Sequence, residues 1–311
     1  MAVHFDLPHS FAQALELAQK ILSRNRKIIR HNLAQTEAEQ IIVAAYREIL
    51  NKELSRAELY TRLNDRLLEP VAEKIMLYAL ARAEGKPLQY VLGYQYFSEH
   101  EYLVTSDVLI PRPETEILLR AAFEKLDALQ PGLGLEIGSG SGILSIELLH
   151  RFKHLRMKAS EKSEGAFRIT TKNAERILGA GAHRLAQIQV SDALSVLMAF
   201  GSEKADFLIA NPPYLSTDDE IDEETLAHEP SLALFPGGDI HQDPLFFYRE
   251  ISEHAATVLK PGAPIFLEIP HTRATAIRAL FEQQKYRVEM RRDLNNYERV
   301  LIFQSTLARV E

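Results

Sequence analysis

Leu133-Gly134-Leu135-Glu136-Ile137-Gly138-Ser139-Gly140-Ser141-Gly142 is an apolar run followed by three glycines at alternate positions. The run predicts a buried strand, and the glycines predict a tight turn into a helix with room for a ligand against the main chain. The spacing is GxGxG, and Ile143 stands where a GxGxxG dinucleotide fingerprint would carry glycine. An adenosyl ligand without a pyrophosphate is therefore favoured over NAD, against the plainer possibility of a structural turn. The expected contacts are Gly138, Ser139, Gly140, Ser141 and Gly142. Glu161, about 20 positions past the loop, ends a second strand-like run, Arg156–Glu161, with Lys162 beside it. An acid there suits bidentate hydrogen bonds to ribose hydroxyls; the alternative is a solvated loop charge. Asp192 and Ala193 follow a third run, where an adenine edge would sit, and Asp192 serves equally well as a helix N-cap. Glu136 is expected to contact the ligand's amino group or to brace the loop.

Downstream of Gly132 the pattern alternates. Strands are predicted over 133–137, 156–161, 185–191, 205–210 and 263–269, and helices over 142–152, 164–178, 193–200, 243–259 and 272–284. A βαβα order implies a parallel, doubly wound sheet. The runs Arg287–Leu294 and Glu298–Gln304, joined by Asn295-Asn296-Tyr297 with no helix between, predict an antiparallel edge pair. Five parallel strands with such a hairpin resemble the layout of seven-strand methyltransferases. Upstream, residues 1 to about 85 read as helical, with helices over Ala34–Leu50, Ala57–Leu68 and Val71–Glu84. The aromatic segment 87–110 predicts a hairpin or short linker sheet, and Pro111-Arg112-Pro113 breaks the chain before a helix over Glu114–Leu129. The expected domains are 1–86, helical; 87–112, a linker with a β-hairpin; and 113–311, the alternating α/β segment.

Asn211-Pro212-Pro213-Tyr214 follows the apolar run Ala205–Ala210 and so lies past the carboxyl end of a strand, where open α/β sheets place ligands. Its prolines carry no N–H, so the turn offers acceptors and almost no donors. Tyr214 adds a flat face with a polar tip. Acceptors beside a flat face suit a planar –NH2 group, a carboxamide or an exocyclic base amine; a rigid strand-to-loop turn is the bland alternative.

Bulk properties narrow the classes. The 311 residues are 46 % apolar, enough for a real core in one large or two smaller domains. No run approaches the roughly 20 apolar residues of a membrane span, and no signal-peptide pattern opens the chain. Cys is absent, which excludes disulfides and thiolate chemistry. The net charge of −7 disfavours broad binding to phosphate backbones. The histidines show no metal-ligand spacing, so no metal is expected.

Taken together, these residues resemble the protein-(glutamine-N5) methyltransferases of peptide-chain release factors, the HemK type, over nearly the whole chain. Leu109-Ile110-Pro111-Arg112-Pro113-Glu114-Thr115-Glu116 matches that family's signature, Gly138–Gly142 its S-adenosylmethionine loop and Asn211–Tyr214 its substrate motif. His228-Glu229-Pro230 with Gly237-Gly238-Asp239 resembles its downstream loop, and Asp293-Leu294 with Glu298-Arg299-Val300 its C-terminal hairpin. Glu136 and Glu161 stand for the usual Asp, Ile240 for Gly, Pro270 follows Leu267-Glu268-Ile269 where Gly is common, and Phe235-Pro236 looks inserted. The resemblance implies an α/β fold: a Rossmann-like, seven-stranded class I S-adenosylmethionine-dependent methyltransferase domain over 113–311, with a small N-terminal helical bundle over 1–86 that recognises the substrate and a β-hairpin linker.

What the resemblance implies for activity is N5-methylation of the glutamine in the Gly-Gly-Gln motif of release factors, in translation termination. The Asn211 side-chain oxygen and the Pro212 carbonyl hold the amide hydrogens, Pro213 fixes the turn and Tyr214 packs on the amide. Phe97 and Arg112 line the same pocket or serve as core packing and a surface ion pair. Asn211 also borders the cofactor. The family implies a monomer in the cytoplasm, with release factors as protein partners, no stable nucleic acid and no membrane. Residues 113–116 favour the release-factor branch over a ribosomal-protein branch. An adenine-N6 DNA methyltransferase is the rival within the chemistry, since adenine N6 is a similar planar amine, but it needs base flipping and a basic groove. A non-catalytic adenosyl-binding or helical interaction protein is the rival outside it, and would have no use for the acceptor tetrapeptide.

Overall fold

A computed structural model describes residues 6–190, 197 and 200–305. The described chain divides into two compact units, residues 1–93 with 223–228, and residues 94–222 with 229–311.

The first unit is helical: α1 (Phe11–Leu22), α2 (Arg26–Arg30), α3 (Ala34–Leu50), α4 (Arg56–Thr61), α5 (Glu69–Ala83) and α6 (Leu88–Leu92). Helices α1, α3 and α5 pack on one another, and their small and branched residues Ala14, Ala18, Ile21, Ile41, Ala45, Ile75 and Ala79 are all fully buried. Ser10 caps α1, and Ser55 with Glu58 forms a capping box on α4. The helix expected over Ala57–Leu68 stops at Thr61. Arg62 turns its guanidinium over the rings of Phe11 and Tyr46, and Leu67 donates its N–H to the His9 carbonyl at 2.8 Å, so tertiary pairing draws residues 66–68 out of helix. The short helix Glu223–His228, α10 in chain order, belongs to this unit. Arg82, 3 % exposed, bonds both carboxylate oxygens of Glu37 (2.8 and 3.1 Å) and Glu224 Oε2 (2.8 Å).

The second unit opens with the antiparallel hairpin β1 (Tyr94–Phe97) and β2 (His100–Leu103), then α7 (Thr115–Leu129). It continues as β3 (Leu133–Ile137), α8 (Ile143–Arg151), β4 (Arg156–Glu161), α9 (Glu164–Leu178), β5 (Leu185–Gln189) and β6 (Phe207–Ala210). After β6 come α11 (Ser231–Leu234), α12 (Phe246–His254), β7 (Pro264–Glu268), α13 (Ala274–Gln283), β8 (Tyr286–Arg292) and β9 (Glu298–Ser305). The sheet order is β5-β4-β3-β6-β7-β9-β8, parallel except for β9, which pairs antiparallel with both neighbours. The expected strands and terminal edge pair are present. The expected segment 193–200 and residues Asp192 and Ala193 lie outside the described residues, apart from 197 and 200.

The sheet is buried on both faces. Leu133, Leu135 and Ile137 meet Tyr248, Ile251, Ile277 and Phe281 on one side. Phe207, Ile209 and Met157 meet Leu118, Leu119 and Leu148 on the other. Gly134 makes the second packing possible, because a Cβ there would stand 2.2 Å from the Phe207 ring and 2.5 Å from Met157 Sδ. The chain winds outward from β3 to β5 and returns at β6 on the far side of β3. That reversal opens a crevice at the carboxyl ends of β3 and β6, the place where such sheets bind ligands.

Candidate active site

Residues 138–142 leave β3 and enter α8 through three left-handed glycines, Gly138 (φ 74°), Gly140 (φ 55°) and Gly142 (φ 87°). The alternating spacing is thus a backbone requirement. At Gly142 a Cβ would also stand 2.8 Å from Ile146 and 3.0 Å from Thr170. The loop is held from several sides. Gly138 and Ser139 donate to the Ser160 carbonyl (2.9 and 3.0 Å), Gly142 to the Ser139 carbonyl (2.7 Å) and Gly140 to Glu161 Oε2 (2.9 Å). Thr170 of α9 donates to the Gly140 carbonyl at 2.9 Å, and Asn173 Nδ2 to the Ser141 carbonyl at 2.8 Å. Asn173 also exchanges two hydrogen bonds with Leu103 of β2, tying hairpin to loop.

Glu161 Oε1 accepts the N–H groups of Lys162 and Ser163, each at 2.8 Å. Three of the carboxylate's roughly four acceptor positions are therefore taken by main chain. Oε2 keeps one for a ligand hydroxyl, fewer than a bidentate pairing needs. Glu136, fully enclosed, accepts from the Ser145 N–H at 3.2 Å and from its hydroxyl. Burial pushes its carboxyl up to about 8 despite these bonds, and Glu161 adds to the shift.

A single pocket gathers these parts. It is lined by Glu136, Gly138, Ser139, Gly140, Ser141, Glu161 and Lys162, and by Arg112, Asn211 and Pro213. Asp107, Thr115, Ser160 and Phe247 join the lining. Gly142 and Pro212 are not among the lining residues; Gly142 serves the turn, and Pro212 is buried. Tyr214 lies against the core of the first sheet face, outside the lining, and burial with help from Glu268 drives its phenol well above the usual range. Phe97 is 3 % exposed, edge-on to Tyr102 in the α7–α8 core and away from the pocket. Arg112 both lines the pocket and pairs with Glu229, whose other oxygen takes the Ile110 N–H at 3.1 Å.

This donor set suits an adenosyl sulfonium. The N–H groups of Gly138, Ser139, Gly140 and Gly142 are already donated within the protein, which leaves a pyrophosphate little to hold. The ionised lining acids Asp107 and Glu161 face Lys162 and an Arg112 already paired with Glu229, while Glu136 is held neutral, so the pocket favours a cation.

Past β6, Asn211 Nδ2 donates to Thr115 Oγ1 at 3.4 Å, and Thr115 donates to Glu268 Oε2 at 2.8 Å. Glu268 ends β7, the parallel neighbour of β6. Thr115 and Glu268 both lie inside stretches quoted from the sequence, yet no spacing announces their meeting 153 residues apart.

Residues 114–241 match the family model described as the methyltransferase small domain. The chain is 35 % identical over 228 residues to the release factor glutamine methyltransferase of Moorella thermoacetica, covering 73 % of this chain and 77 % of that one. The chain belongs to the release factor glutamine methyltransferase family. It is also 29 % identical to the bifunctional methyltransferase of Rickettsia felis, over 92 % of its own length, and spans 57 % of that relative. The catalytic domain of hMettl16 superposes with a TM-score of 0.50 at 15 % identity, over 78 % of this chain and 84 % of that one, a likeness of fold. Family membership makes this chain an enzyme, a methyltransferase.

Proposed function

We propose that this enzyme transfers a methyl group from S-adenosylmethionine to N5 of the glutamine in the Gly-Gly-Gln motif of peptide-chain release factors. The observation that carries the reading is Asn211, whose amide nitrogen is engaged by the protein while it borders the glycine-loop pocket. Among the described residues no hydrogen bond uses its Oδ1. That oxygen is one acceptor for a carboxamide hydrogen, and the reading gives the second to the carbonyl of Pro212, the buried residue beside it outside the pocket lining.

A carboxamide nitrogen is a weak nucleophile because its lone pair is delocalised into the carbonyl. Holding both hydrogens aligns the nitrogen and favours a localised lone pair. Bound S-adenosylmethionine would supply an electrophilic methyl group; Glu161 and the loop carbonyls would hold it, with Glu136 close to its amino group. Alignment of this kind is worth several kcal/mol of barrier. The nitrogen turns strongly acidic as its bond to the methyl forms, and its proton leaves to solvent, so no side-chain base is needed. The relatives named for release factors support the substrate class, and the acidic net charge supports a protein over a DNA strand.

The test is single-turnover methylation of a release factor carrying its Gly-Gly-Gln loop, with mass spectrometry locating the added methyl. One methyl on the glutamine side chain is expected. A methyl on a lysine, a backbone nitrogen or a DNA adenine overturns the reading.

A further inference from the structure

We propose that Glu268 is a positioning residue: with Thr115 it fixes which way the Asn211 amide faces, so that Oδ1 and not Nδ2 is presented to the substrate. The proposal rests on the glutamine-methylation reading above.

The two ends of an asparagine amide are nearly the same size, so packing alone does not choose between them. Chemistry does. Nδ2 only donates and Oδ1 only accepts. An ionised carboxylate only accepts, so the end of Asn211 that faces Glu268 has to be the NH2. Glu268 accepts the Thr115 hydroxyl proton at 2.8 Å, and the Asn211 side chain near it helps hold the carboxyl down. The Thr115 hydroxyl completes the set. It spends its proton on Glu268 and offers its lone pair to Asn211 Nδ2. A flipped Asn211 would set Oδ1 against the carboxylate and the hydroxyl lone pair. It would also aim NH2 at the incoming amide, donor against donor.

Glu268 has no other evident employment. It is 4 % exposed, far from the surface where an acid is easily hydrated, and no strand register requires it. Its own backbone carbonyl is held separately by the Tyr248 hydroxyl at 2.8 Å, which fixes the end of β7. The charged and titratable groups facing it are Glu114 at the start of α7, Arg299 on β9, Tyr214 after β6 and Tyr248 on α12. Burial pushes the Glu268 carboxyl up to about 7; Glu114 adds to the shift, and Thr115, Arg299 and Asn211 oppose it. Once protonated, Glu268 can donate to Oδ1 and the choice of amide face is lost. The orientation device is therefore intact above neutrality and fails below it.

The experiment compares wild type, Glu268→Gln and Thr115→Val in the full chain. Glu268→Gln keeps size and packing but presents either an oxygen or an NH2. Expected are a kcat for release-factor methylation down by at least about 10-fold, as misalignment costs, with KM and S-adenosylhomocysteine affinity within two- to three-fold by the same alignment principle. Wild-type kcat should fall as pH drops through about 7, and that limb should vanish in Glu268→Gln. A purely structural role for Glu268 would leave the limb in place. Orientation is read independently of activity, by amide hydrogen exchange of the Asn211 side chain in asparagine-15N-labelled protein without ligand. Its NH2 should exchange slowly in wild type and quickly in Glu268→Gln. Equal exchange in the two proteins, or an unchanged kcat and pH limb in Glu268→Gln, overturns the proposal while leaving glutamine methylation by wild type intact. Wild type that methylates no glutamine overturns the functional reading, and the exchange measurement then still decides whether Glu268 holds the amide.

Discussion

Glu161 joins two roles in one carboxylate. It accepts the N–H groups of Gly140, Lys162 and Ser163, and it keeps one acceptor position towards the pocket. Replacing it with Ala should weaken S-adenosylhomocysteine binding, measured by calorimetry, by roughly 1–3 kcal/mol. Hydrogen exchange at Gly140 should quicken in the same variant, and unchanged affinity would return Glu161 to a solvated loop charge. At Asn211, substitution by Ala removes the acceptor proposed for one amide hydrogen of the substrate and leaves that hydrogen unpaired. Single-turnover kcat should fall at least about 100-fold, with cofactor affinity changed far less; a variant as fast as wild type would remove Asn211 from the chemistry. Glu136 makes a different statement. Its carboxyl sits near 8 in the fold against an ordinary value of 4.5, so the folded state binds a proton that the unfolded chain releases. The sign follows directly: this group's contribution is fully present below about 4.5 and is lost as pH rises through about 8. Ligand-free protein should lose up to about 1.4 kcal/mol per pH unit from Glu136 across that window. Urea titrations of Glu136→Gln should lack that part of the slope, and identical slopes in the two proteins would show that Glu136 is ionised throughout.

Helix α9 was legible as an element, and its pinning of the glycine loop was not. The spacing of apolar residues over 164–178 matches the observed helix, Glu164–Leu178, end to end. Nothing in that periodicity says that Thr170 and Asn173 face the loop carbonyls, because polar residues on a helix read as solvent-facing until the neighbouring segment is known. Asn173 is fully buried and satisfies Leu103 at both backbone groups as well as the Ser141 carbonyl. Asn173→Ala should cost roughly 2–4 kcal/mol of stability by stranding those groups, read as a shift in urea midpoint at constant slope. A shift worth under about 0.5 kcal/mol, the scale of an ordinary surface change, would mean that water replaces the side chain. Other differences have the same origin in long-range contacts. Helices within 215–245 were not foreseen, since α10 and α11 are short; Arg82 and Lys27, distant in sequence, engage Glu224 of α10. The β-strands, by contrast, announce themselves through local burial, as at β3 and β7, where every residue is buried.

At the scale of the whole chain, the pocket and the helices divide the labour proposed here between methyl donor and protein substrate. Every lining residue falls between 107 and 247, and the β1–β2 hairpin is tied to the loop by Asn173. Among the described residues none of 6–93 lines the pocket, consistent with the substrate-recognising role proposed for the helical unit. Its α10 segment, 223–228, is followed at once by Glu229, which holds Ile110 and Arg112 at the pocket rim. A chain beginning at Tyr94 removes the helices that pack with α10, so its donor affinity has to be measured beside its activity. S-adenosylhomocysteine should bind that shortened chain within about three-fold of full-length affinity, under 1 kcal/mol. Methylation of a short Gly-Gly-Gln peptide should persist, while kcat/KM for intact release factor should drop by at least about 100-fold, the equivalent of losing roughly 3 kcal/mol of docking. Lost donor affinity would show that the helices support the pocket through Glu229. Undiminished methylation of the intact factor would show that recognition lies within residues 94–311 and remove substrate selection from the helical unit.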